Sequence, residues 1–183
     1  MAELHDLTAL EQGAAIRSGE TSSADLVEHY LARIDRLSGE LGAFVTVTDE
    51  SARADAADVR GDGPLAGVPT AIKDLNAVAG VPARFGSVLF RDFVPDVSDE
   101  VVLRIERAGL VSLGKTNTPE FGSPCYTEPD PDVIAPPAVT PYDTGRMAGG
   151  SSGGGAAPGG GGARGPAPGG GTGGRHAGPP RAV

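Results

Sequence analysis

Apolar positions recur along this chain in two periods, and each period predicts its own kind of element. Leu26, Tyr30, Ile34 and Leu37 stand three or four residues apart, so residues 23–37 predict an amphipathic helix. Ser22 and Asp25 stand at its start in the arrangement of a capping box, with Ser22 as N-cap and Asp25 reaching back. A shorter helix is predicted just before, opening at Asp6 as N-cap and closing at Gly19. Ala43 to Thr48 is rich in β-branched residues and predicts a strand, and the Ala-rich run Ser51–Val59 predicts a helix with its Arg and Asp on the wet side. Thr70-Ala71-Ile72-Lys73-Asp74 reads as a short apolar strand that ends in charge. Residues 76–96, with scattered Gly and Pro, predict an irregular connection. A further helix is expected from Ser98 as cap, with Val101, Val102 and Ile105 as its apolar face and Gly109 at its C-terminus. Leu110 to Gly114 then predicts a buried strand, and residues 127–142 a Pro-rich extended loop. Strand, helix and strand in this order predict an α/β fold with a mixed sheet flanked by helices.

Composition divides the chain. Its 183 residues suffice for one domain with a core, but the 29 Gly and 16 Pro crowd into the last third. Residues 155–183 contain 23 Gly, Ala and Pro and no Leu, Ile, Phe, Asp, Glu or Lys, so they have almost nothing to bury. They are expected to form a disordered low-complexity tail. Their codons are GC-rich, which is what a GC-rich gene gives when read out of frame near codon 155. Residues 1–154 carry 12 basic and 24 acidic side chains, a net charge of −12, which repels phosphate backbones and argues against nucleic-acid binding. Cys125 is the only cysteine, the first residues do not form a signal peptide, and no apolar run is long enough to span a bilayer. These features predict a cytoplasmic protein without a membrane partner.

Candidate chemistry begins with a motif that fails. Gly109-Leu110-Val111-Ser112-Leu113-Gly114-Lys115-Thr116 has the letters of a phosphate-binding loop. That loop needs a strand before it and a helix after it, and here the order is reversed. Two features remain. Lys73 ends an apolar strand, where burial would favour a neutral amine able to act as a base, although a strand-end lysine can also snorkel to water. Gly149-Gly150-Ser151-Ser152-Gly153-Gly154 is either a flexible linker or a tight turn that brings hydroxyl and backbone N–H groups to a carbonyl. His5, His29 and His176 lie far apart in sequence, Cys125 has no adjacent histidine, and no spacing suggests a metal site.

Together with Gly63–Asp74 and Gly114–Gly122, the Gly-Ser segment resembles the amidase-signature family, in the family's motif order, over residues 1 to about 154. The resemblance implies the N-terminal part of an amidase domain, truncated, and a hydrolase that converts a carboxylic amide to an acid and ammonia or an amine without a cofactor. It implies that Lys73 is the base and that Ser151 is the bridging serine held by a cis peptide bond. Gly149, Gly150 and Ser152 would support the substrate or the oxyanion. The family's nucleophilic serine follows in a segment ending Gly-Gly-Ser; here that region reads Gly171-Thr172-Gly173-Gly174-Arg175, and no serine occurs after Ser152. The chain is therefore expected to be inactive. Family members often pair, so a homodimer is an expectation. One alternative is the amidase subunit of a tRNA-dependent amidotransferase. Another is a non-enzymatic binding module, against which stand the open sheet edge and uncovered apolar face of a half-domain, both aggregation hazards.

Overall fold

The computed structural model describes residues 3–160 of the chain. A 3-10 turn over Leu4–Asp6 leads into helix α1 (Ala9–Ser18) and then into helix α2 (Ser23–Leu41). Strand β1 (Phe44–Val47), helix α3 (Asp49–Ala57) and strand β2 (Pro69–Lys73) follow. After an irregular stretch come helix α4 (Glu100–Arg107), strand β3 (Val111–Thr116), a hairpin of β4 (Val139–Thr140) and β5 (Asp143–Met147), and helix α5 (Gly153–Gly160). The fold is mixed α/β. Its three-stranded sheet has the order β1-β3-β2, with β3 in the centre, antiparallel to β1 and parallel to β2.

The capping box at Ser22 forms as expected: Ser22 Oγ accepts from the Asp25 N–H at 3.0 Å and Asp25 Oδ2 accepts from the Ser22 N–H at 3.1 Å. The helix it opens runs past residue 37, through Gly39, to Leu41, and ends at Gly42, which takes the left-handed conformation at φ 58° and donates its N–H to Ser38 O. The first helix starts later than expected. Its N-cap is Thr8, which forms a capping box with Glu11, whereas Asp6 closes the preceding turn. Ser98 does not cap α4 either. The N-cap is Asp99, and both side chains fasten the preceding loop instead, Ser98 Oγ accepting from the Ala79 N–H and Asp99 Oδ2 from the Ala77 N–H. Of the expected apolar face of α4, Val102 is buried and Val101 is exposed.

The core lies between α2, α3 and the central strand. Leu26, Val27, Tyr30 and Leu31 of α2 pack with Ala52 and Ala56 of α3 against Val111 and Leu113 of β3. Leu26 and Val27 are fully buried, each stabilising the fold by roughly 1.5–3 kcal/mol relative to exposure. This packing fixes β3 and, through the parallel register Ile72↔Lys115 and Lys73↔Thr116, the C-terminal end of β2.

Two further segments depart from the sequence reading. The end of the stretch expected as extended loop folds back as the β4–β5 hairpin. Helix α5 carries residues 155–160, which composition assigned to the tail. Its first turn is held from outside, since the Gly154 N–H donates to Asn117 O at 3.2 Å. The rest of the expected disordered tail lies outside the described residues.

Candidate active site

Lys73 ends β2 with its side chain buried, 3% exposed, instead of snorkelling to water. Its Nζ lies 2.9 Å from Ser151 Oγ and 3.0 Å from Ser152 Oγ. Residues 78 positions apart thus meet because the Gly-Ser segment packs across the end of the parallel β2–β3 pair. The Gly150–Ser151 peptide bond is cis, as the resemblance implied.

The segment is not a linker, because every turn of it is tied down. Thr127 Oγ1 donates to Gly149 O at 2.9 Å and accepts from the Gly153 N–H at 3.0 Å. Thr118 Oγ1 donates to Ser151 O at 3.3 Å. Ser152 O accepts from the Gly155 and Ala156 N–H groups, which starts α5 immediately after the two serines. Glycine is required at 154, where a side chain would collide with the Asn117 backbone. Asn117 is itself buried and donates to Gly42 O at 2.8 Å and Pro136 O at 2.9 Å.

Desolvation pushes the Lys73 amine down to about 8. About one-tenth of the amine is then neutral at pH 7, against almost none for an ordinary lysine. A charged Lys73 donates hydrogen bonds to both hydroxyls. A neutral one can accept a proton from one of them, which is the step a serine relay requires.

Sequence reading missed a second buried lysine beside the first. Lys115, 1% exposed on β3, donates to Asp74 Oδ1 at 2.8 Å, and Asp74 is completely buried. Asp74 Oδ2 also accepts from the Arg84 N–H at 3.0 Å. Burial raises the Asp74 carboxyl against the opposing pull of Lys115. A signal for the pair was available: Lys73 and Lys115 are the only two lysines in the chain, and both stand in apolar strands. The location of Lys115 within β3, bonded to a carboxylate, also explains why the phosphate-loop lettering around it does not form such a loop.

Two of the histidines, far apart in sequence, come together in the fold. His5 and His29 meet, with Nδ1 and Nε2 3.0 Å apart and rings stacked at 5.1 Å, at the N-terminal turn and away from the serines. His176 lies outside the described residues. Cys125 is exposed. No helix among the described residues is long and apolar enough to cross a membrane.

A lysine bonded to two serines of a glycine-rich turn, at the end of a mixed sheet, defines a candidate serine–lysine hydrolase site. The family model described as Amidase matches residues 25–174, and the chain belongs to that family, whose members act on amides. A subunit of the glutamyl-tRNA(Gln) amidotransferase of Thioalkalivibrio sulfidiphilus (strain HL-EbGR7) is 43% identical over 157 residues, 82% of this chain and 32% of that protein. The structure of a 6-aminohexanoate cyclic dimer hydrolase aligns with a TM-score of 0.80 at 33% identity, covering 91% of this chain and 34% of the other. A bacterial aryl acylamidase of the amidase signature family aligns with a TM-score of 0.78 at 30% identity, covering 86% and 34%. The chain therefore spans about a third of the length of the proteins it matches.

Proposed function

We propose that this chain carries the lysine–serine half of the proton relay of a carboxylic-amide hydrolase, and that it lacks the nucleophile that would complete it. The observation that carries this reading is the approach of Lys73 Nζ to Ser151 Oγ at 2.9 Å. In the complete reaction neutral Lys73 accepts a proton through Ser151 from an attacking serine. That serine's oxygen bonds to the amide carbonyl carbon, the C–N bond breaks, the proton leaves with ammonia or amine, and water then cleaves the acyl ester to release the acid and restore the serine. Gly149, Gly150 and Ser152 would support the substrate or oxyanion beside the relay. No cofactor enters this chemistry.

The chain has no serine after Ser152, and Gly171-Thr172-Gly173-Gly174-Arg175 stands where the family motif supplies one. The domain reading is that residues 1–154 are the N-terminal part of an amidase domain and that the codons after 155 are read in a shifted frame. A cytoplasmic location and a homodimer go with this reading. The test is ammonia release from small carboxylic amides and glutamine by the 183-residue chain. No release above the blank is expected. Release that disappears in Lys73→Met would overturn the assignment of inactivity, and resequencing codons 150–183 checks the frame.

A second reading is favoured by one observation. The curated relative at 43% identity bears the name of a glutamyl-tRNA(Gln) amidotransferase. On this reading the complete protein would release ammonia from an amide donor for transfer within a larger assembly. The net charge of −12 over residues 1–154 would then leave tRNA contacts to the other members of that assembly.

A further inference from the structure

We infer that Lys115 and Asp74 act as a positioning pair for Lys73, each cancelling the other's charge so that the lysine facing the two serines has an electrically neutral backing. This rests on the reading of Lys73 as the relay base. The geometry is specific. Asp74 follows Lys73 directly, just past the end of the strand, and its N–H donates to Thr116 O at 3.0 Å. Lys115 sits opposite Ile72 in the register and reaches that carboxylate at 2.8 Å, with both side chains at most 1% exposed.

A buried carboxylate alone at this point would hold Lys73 as an ammonium, and a buried ammonium alone would repel its proton. The pair does neither. Other charged groups near the sheet engage other partners. The Arg84 guanidinium donates to Val45 O and Thr46 Oγ1. The Glu120 carboxylate accepts from Ser87 Oγ at 2.7 Å. Arg33, on α2, lines a cavity together with Thr70 and Ala71 of β2. The segment 148–156 that covers Lys73 from the far side contains no charged residue. Asp74 is the chain neighbour of Lys73 and Lys115 lies on the paired strand, so Coulomb interaction in a poorly solvated interior would reach Lys73 without a contact.

The test uses [13Cε]lysine incorporated biosynthetically into the full chain, where only two side chains report. Asp74→Asn leaves Lys115 uncancelled, so the Lys73 midpoint should fall by about half a pH unit or more. Lys115→Met leaves Asp74 uncancelled, so it should rise by a similar amount. The double variant removes both charges and should return Lys73 close to the parent midpoint, with a single remaining signal. A purely structural pair gives a different pattern, because loosening the site moves every variant upward toward an ordinary lysine. A midpoint that rises or stays in Asp74→Asn, or a double variant displaced from the parent by more than about half a unit, overturns the inference. If one single variant does not fold, the direction in which the other's midpoint moves decides. A parent midpoint at the ordinary lysine value would instead defeat the reading of Lys73 as the base.

Discussion

Replacing Lys115 with methionine is expected to destabilise the fold by about 3–5 kcal/mol, the usual cost of removing one partner from a buried ion pair. The cause is not the lost attraction by itself. Asp74 is fully buried, its carboxylate's other hydrogen bond among the described residues comes from the Arg84 N–H, and the Met side chain cannot solvate the charge left behind. The carboxyl, already raised by burial, would rise further and take up a proton at higher pH. The urea midpoint should fall accordingly, and amide exchange should accelerate along β2 and β3, which the pair joins. Asp74→Asn combined with Lys115→Met should recover most of the loss, because no charge remains to be desolvated. An equal loss in the single and the double variant would show that packing, not charge, is what Lys115 supplies.

Lys73→Met is expected to act in the opposite direction and to stabilise the chain at neutral pH by roughly 1–3 kcal/mol. A lysine whose folded value is about 8 and whose unfolded value is 10.5 makes folding less favourable wherever the unfolded chain is protonated. The penalty, about 3 kcal/mol by linkage, is complete below pH 8 and disappears as pH rises through 10.5. Lost hydrogen bonds to Ser151 and Ser152 reduce the gain at low pH. The parent should therefore become more stable relative to Lys73→Met between pH 8 and 10.5, as read from urea unfolding at several pH values. A pH-independent difference would mean that Lys73 is not desolvated in the folded state. Two buried lysines thus differ in kind: one supports the fold through its partner, and the other is held in a costly state that suits proton transfer.

The site was legible in sequence to the extent that it is local. Lys73 at the end of an apolar strand and the Gly-Ser segment both carry their chemistry in adjacent residues. Capping at Ser22 was equally readable, because the box spans four consecutive positions. What sequence did not show depends on long-range approach. Asp74 and Lys115 are 41 positions apart and meet only because β2 and β3 pair in parallel, and His5 reaches His29 only because the N-terminal turn packs on α2. Ser98 carried the capping signal, but its oxygen accepts from a backbone N–H of the loop above, and Asp99 stands at the N-cap with its carboxylate on the same loop. The Gly and Ala of residues 155–160 have too little side chain to signal a helix. Their helix is started by Ser152 O and Asn117 O, which belong to the folded body.

The relay chemistry depends above all on the protonation of Lys73. Titration of the two lysine 13Cε signals in the parent chain should show Lys73 changing near pH 8, with its signal absent in Lys73→Met. A single transition for Lys73 near the ordinary lysine value, around 10.4, would mean that the amine reaches water and that the relay geometry at Ser151 does not hold.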